Sequence, residues 1–168
     1  MVQIPCSPFA MAMVVVAAAG MVPVRAEAQA VVSGVVLGGA GGFTEVSEGA
    51  FHVGGGVQAV GRQGLGMLAE IGYVSFFSHP GEGIGLFTAN AIYAFGRPQV
   101  ERRARPFITG GYALAFQSGS VNLWNAGAGV DWSLGRRSAV RTEVRTHFDV
   151  ATGEIAQFWQ VRAGFVWR

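Results

Sequence analysis

The sequence predicts an all-β fold, an eight-stranded antiparallel up-and-down transmembrane β-barrel, and three observations carry that expectation. Half the residues are apolar and only 13% are charged, about half the ~25% usual in soluble domains. Twenty-six glycines accompany this high hydropathy, yet past the N-terminus no window reaches the roughly 18–20 apolar residues of a membrane helix. Finally, Val140–Val150 alternates strictly, with Val140, Thr142, Val144, Thr146, Phe148 and Val150 on one face and Arg141, Glu143, Arg145, His147 and Asp149 on the other. Period-two alternation is the signature of a strand with two unlike faces.

The N-terminus is read separately. Residues 10–22 (AMAMVVVAAAGMV) form a short apolar core, followed by Pro23 and by small residues at Ala26, Ala28 and Ala30. This pattern fits a secretory signal peptide over residues 1–28, with cleavage after Ala28 or Ala30, although no basic side chain precedes the core. The remaining domain, 29–168, would then contain no cysteine, because Cys6 lies inside the signal. Disulfides are thus unavailable to stabilise it, and closure of a sheet in lipid is a source of stability that needs none.

Beyond the signal the chain divides into eight period-two stretches bounded by turn residues, at 31–42, 50–61, 64–76, 84–96, 106–117, 120–133, 138–149 and 157–167. Their length suits tilted membrane strands of ~9–11 residues, and an even number suits a closed up-and-down barrel. The first two are rich in glycine and alternate weakly; closure requires them. In the fourth, Phe87, Ala89, Ala91, Tyr93 and Phe95 oppose Thr88 and Asn90, and in the fifth Ile108, Gly110, Tyr112, Leu114 and Phe116 oppose Thr109 and Gly111. The sixth sets Trp124, Ala126, Ala128, Val130 and Trp132 against Asn125, Gly127, Gly129 and Asp131. A sandwich core would need bulky aliphatics where these small polar residues stand. The apolar face therefore belongs to lipid and the small-polar face to a narrow lumen. Trp124 and Trp132 near the ends of the sixth stretch, and Trp159 and Trp167 near the ends of the eighth, are placed as interfacial girdles would be.

A lumen lined by Gln58, Glu70, Asn90, Asp131, Arg141, Glu143, Arg145, His147 and Arg162 must pair its charges, since unpaired buried charge is too costly to persist. The expected ionic network consists of Glu70, Asp131, Arg141, Glu143, Arg145, His147 and Arg162, with arginine well suited to bidentate carboxylate pairing. An eight-stranded interior is just wide enough to be filled by such side chains, which predicts a plugged barrel over a diffusion pore. No catalytic, cofactor or metal site is expected. His52, His79 and His147, with Ser75, Ser78, Ser118, Ser120 and Ser138, are the candidates for a Ser–His–acid hydrolase. The glycines of residues 54–64 lack the strand–loop–helix context of a phosphate loop. A net charge of +2 and arginines dispersed over turns and lumen argue against a nucleic-acid partner.

Three stretches also resemble a known family. Residues 105–112 (RPFITGGY), 125–132 (NAGAGVDW) and 140–145 (VRTEVR) are similar to segments of small outer-membrane β-barrel proteins, the OmpA-like and opacity-type eight-stranded superfamily. The likeness covers roughly 105–167, and the earlier half in pattern alone. It implies an eight-stranded up-and-down barrel in the cell outer membrane of a Gram-negative-type envelope, inserted by the barrel-assembly machinery; it does not imply a ligand or a catalytic residue. The family's terminal aromatic is approximated by Phe165 and Trp167, but Arg168 follows.

With both chain ends on the periplasmic side, the connections on that side would hold Arg62, Arg97, Arg102, Arg103, Arg105, Arg136 and Arg137, and those opposite would hold Glu45, Glu48, Glu82 and Glu154. All twelve basic residues are arginine. This segregation is independent of the strand assignment. The functional expectation is a monomeric barrel with a structural or envelope-surface role, contacting outer-membrane lipids. The alternatives are a lipid-modifying barrel hydrolase, a narrow gated pore, or a soluble periplasmic β-sandwich.

Overall fold

The computed structural model describes residues 30–44, 48–96, 103–149 and 157–168. The expected signal peptide lies outside these residues, as do Glu45, Arg97, Arg102 and Glu154.

Eight strands follow one another: β1 (Val31–Phe43), β2 (Gly49–Val60), β3 (Leu65–Phe76), β4 (Ile84–Ala94), β5 (Ala104–Phe116), β6 (Ser120–Ser133), β7 (Ser138–Phe148) and β8 (Gln157–Trp167). Each pairs antiparallel with its sequence neighbours, and β1 pairs with β8 from Gly34↔Trp167 to Phe43↔Phe158, which closes the barrel. Closure satisfies every strand edge, the condition for a sheet to exist in hydrocarbon. The strand bounds match the sequence periodicity closely. The main departure is β5, which begins at Ala104, so Arg105 lies inside a strand opposite Asp131 and not in a turn. Arg105 is held there by ladder pairing that its own side chain does not announce.

The tight turns form at the glycines. In the β2–β3 hairpin Gly64 adopts φ +87°, donates its N–H to the Gly61 carbonyl at 2.9 Å, and is followed by Leu65, whose carbonyl accepts from Gly61 N–H at 2.9 Å. A left-handed residue at this point suits a side chain poorly.

Side chains alternate across the wall. Val36, Val53, Val57, Met67, Ile71, Ile108, Val144 and Val161 point outward and are about half or more exposed. The lumen holds three layers. At the end carrying the chain termini, Val35, Leu37, Val60, Leu68, Ile92, Phe107 and Val166 form one buried apolar cluster. At the far end Ala50, Val74, Leu86, Ala113, Ala115 and Phe158 form another, packed against Phe43, Phe76, Ile84 and Leu123. Between them lies a polar layer. Burial of the two clusters contributes roughly 25 cal/mol per Å² of apolar surface removed from water.

The glycines of β1 and β2, which weaken those strands as sequence, make room for this filling. A Cβ on Gly39 would lie 2.9 Å from Arg162 Cγ, and one on Gly54 would lie 3.2 Å from His52 Nε2 and 2.8 Å from the Ile71 carbonyl. On β6, a Cβ at Gly129 would meet the Phe107 ring at 2.7 Å and one at Gly127 would meet Glu143 Oε1 at 2.9 Å. Glycine here trades strand propensity for lumen volume.

Candidate functional site: the ionic lumen

The polar layer is built by strand register. On β7 the two-residue period sends Arg141, Glu143, Arg145 and His147 to the lumen, all buried. The ladder sets Arg141 opposite Asp131 of β6 and Glu143 opposite Arg162 of β8, so two opposite-charge pairs arise across adjacent strands. Glu70 enters from β3, on the opposite wall.

Four of these side chains close a ring of alternating charge. Arg145 binds Glu70 through Nη1, and Glu143 through Nε and Nη2, both at 2.7 Å. Arg162 Nη2 lies 2.7 Å from Glu143 Oε2 and 3.2 Å from Glu70 Oε1. Thr88 Oγ1 donates to Glu70 Oε2 at 3.2 Å. Nearer the terminal end, Arg141 grips Asp131 with both arms of its fork, Nε to Oδ1 at 2.7 Å and Nη2 to Oδ2 at 2.9 Å. The same Nη2 donates to Gln58 Oε1 of β2 at 2.9 Å, and the guanidinium carbon sits 4.3 Å above the Phe107 ring. Three arginines thus meet three carboxylates. The side-chain amides of Asn125 and Asn90 meet at 2.8 Å beside the ring.

Such pairs bridge walls that are distant in sequence. Arg145 and Glu70 are 75 residues apart, Arg162 and Glu70 are 92, and Arg141 and Gln58 are 83. The pairing satisfies the charges that a narrow lumen forces out of water. Six of the seven residues expected in the network make these contacts. His147 does not: it is buried on the same face, but its ring stacks on Phe158 at a centroid distance of 5.9 Å, and neither ring nitrogen has a hydrogen-bond partner. It pairs with Asn125 across the ladder and with Phe158 on the other side, one step beyond the reach of the carboxylates. The Phe107 ring beneath Arg141 is the contact that sequence reasoning missed. It shares the parity of Thr109 and Gly111 on β5, but nothing in the strand itself points to a cation above it.

The four tryptophans all face outward, between 43% and 54% exposed. Trp124 and Trp159 lie at the far end, near Phe148 and Gly42, and Trp132 and Trp167 at the terminal end, near Ala104 and Gly34. Trp132 Nε1 donates to Thr142 Oγ1 at 3.1 Å. Two rims of amphipathic rings bounding an apolar belt are what a bilayer with two interfaces selects.

Of the serine and histidine candidates, Ser75 Oγ donates to the His79 main-chain carbonyl at 2.8 Å, and one pair meets through both side chains. In the β3–β4 loop Ser78 Oγ lies 2.9 Å from His79 Nδ1 and donates to Glu48 Oε2 at 3.1 Å. Here the serine sits between the other two groups. In an acyl-transfer triad the histidine occupies the middle, so that it can take the serine proton while the carboxylate orients it.

No protein-family model matches the chain, and no curated protein matches it. Solved structures do. The N-terminal β-barrel domain of Pseudomonas aeruginosa OprF is similar with a TM-score of 0.58 and 17% identity, over 83% of this chain and 98% of that one. Neisserial surface protein A has a TM-score of 0.57 and 14% identity, over 81% and 95%. The outer-membrane enzyme PagL has 0.53 and 16%, over 80% and 99%. At these identities the likeness is one of fold. The shared eight-stranded fold, together with the apolar belt and tryptophan rims of this chain, defines an outer-membrane β-barrel.

Proposed function

We propose that this protein serves the outer membrane as a structural element, a monomeric sealed barrel that neither conducts nor catalyses. The observation that carries this reading is the closed Glu70–Arg145–Glu143–Arg162 ring held between two apolar layers. A conduit would line a continuous path with hydrated polar groups, whereas this lumen spends its charges on one another and caps them with hydrocarbon at both ends. Short connections support the same reading, since large adhesive or receptor surfaces are built on long loops. Insertion would depend on the barrel-assembly machinery, with lipid as the principal partner. Reconstituted in planar bilayers, the protein should give no unitary conductance, while its gel mobility changes on boiling as that of a closed barrel does. Stable single-channel steps would replace this reading with the pore.

A lipid hydrolase is the second reading, raised by the presence of an enzyme among the structural neighbours; Ser78 and His79, 2.9 Å apart, are the residues that test it, although their order with Glu48 is not that of a triad. The two readings separate on one substitution. Purified protein should release no fatty acid from lipid A-type or phospholipid esters, and Ser78→Ala should leave that baseline unchanged. Ester release abolished by Ser78→Ala or His79→Ala would establish the enzyme.

A further inference from the structure

The two ends of the barrel carry opposite charge. At the terminal end the described residues include Arg103 before β5, Arg136 and Arg137 in the β6–β7 turn, and Arg168 after β8, all exposed. Backbone hydrogen bonds tie them to a common rim: Ser133 N–H donates to the Arg103 carbonyl and Arg168 N–H to the Arg137 carbonyl, both at 2.9 Å. The one acidic side chain among the described residues of this rim, Asp131, is taken up by Arg141. At the far end the described charged residues are Glu48, Glu82 and Asp149, with no arginine among them. Sequence separates these arginines by up to 65 positions, and only closure of β5 to β8 gathers them.

Their level in the membrane is marked. Trp132 is the last residue but one of β6 and Trp167 the last of β8, within a few residues of Arg136 and Arg168, and tryptophan rims sit at headgroup depth. Guanidinium groups at that depth meet phosphate oxygens, which match their fork of donors. We propose that Arg103, Arg137 and Arg168 form a headgroup site that selects anionic phospholipid in the leaflet at the terminal end of the barrel. The far rim, acidic and without arginine among its described residues, offers no counterpart, so the selection acts on one leaflet only. A basic residue near an anionic bilayer surface is worth about a fivefold gain in occupancy, and added salt screens it.

The test uses the two rims as separate reporters. In a Trp124→Phe/Trp159→Phe background only Trp132 and Trp167 fluoresce, and brominated lipids quench tryptophans that they touch. In phosphatidylcholine bilayers doped with brominated lipid, brominated phosphatidylglycerol should quench these two at about a fivefold lower mole fraction than brominated phosphatidylcholine. That advantage should vanish in the Arg103→Gln/Arg137→Gln/Arg168→Gln variant and at high salt, and survive in the corresponding lysine variant. In the opposite background, Trp132→Phe/Trp167→Phe, the two lipids should quench equally. Heat-modifiable mobility checks that each variant is folded. Equal quenching at the terminal rim, or an advantage that persists in the glutamine variant, overturns the proposal. So does loss of the advantage to inorganic phosphate at constant ionic strength, which would mark a site for soluble phosphate.

Discussion

Arg145 and Arg141 are the same residue type four positions apart on one strand face, and they do different work. Arg145 is fully buried and holds Glu143 and Glu70, whose side chains are 0% and 5% exposed. Arg141 is equally buried, but its partner Asp131 is 14% exposed and lies toward the rim. Removing a cation strands its carboxylate, and the penalty grows with how far that carboxylate is from water. Arg145→Ala should therefore lower stability by about 3–5 kcal/mol, and Arg141→Ala by clearly less. Urea unfolding in lipid vesicles measures both, and equal midpoints for the two would show that the ring is not a single buried unit. The β7 alternation is enough to send both arginines inward. It cannot say that Arg145 finds two acids and Arg141 one, because Glu70 arrives from a strand 75 residues away.

Within a single element, β7 shows what each face tolerates. Val144 lies near the middle of Ser138–Phe148 and is 56% exposed on the outer face. If that face meets hydrocarbon, Val144→Arg should cost about 2–4 kcal/mol in a bilayer, whereas on a water-facing sheet it would cost almost nothing. A folded variant with an unchanged unfolding midpoint in vesicles would contradict lipid contact at this position. The strands least legible in the sequence were β1 and β2, whose glycines suppress alternation. Their purpose is relational: Gly39 leaves space for Arg162 of β8, and Gly54 for the Ile71 carbonyl and Gly72 of β3. A glycine reads as weakness in its own strand and as volume only when the facing wall is known. Arg105 was misplaced for a related reason, since its ladder partner Asp131 lies on β6.

For the molecule as a whole, the decisive contact is the seam between the first and last strands. Gly164 of β8 pairs with Leu37 of β1, and a side chain there would collide with the Val36 carbonyl and approach Leu37 Cδ2 to 2.7 Å. Barrel closure joins 31–43 to 157–167 and must overcome the loop-closure entropy of the whole chain. Gly164→Val should therefore block closure, seen as loss of the heat-modifiable form, while Ala163→Val on the outer face of the same strand should leave it intact. A closed barrel from Gly164→Val would mean the seam has slack that the structure does not show.

The alternating strands β3 to β8, the lipid-facing belt and the inward charges of β7 were determined by the sequence alone, because each follows from a period of two along a single strand, and the tryptophan rims follow from placement at strand ends. What only the tertiary structure decided is where β5 begins, which charges meet, why His147 stands apart, how Phe107 comes to lie under Arg141, and that Arg103, Arg137 and Arg168 come together on one rim. These depend on register between strands and on the width of the closed lumen, quantities that no single stretch of chain contains.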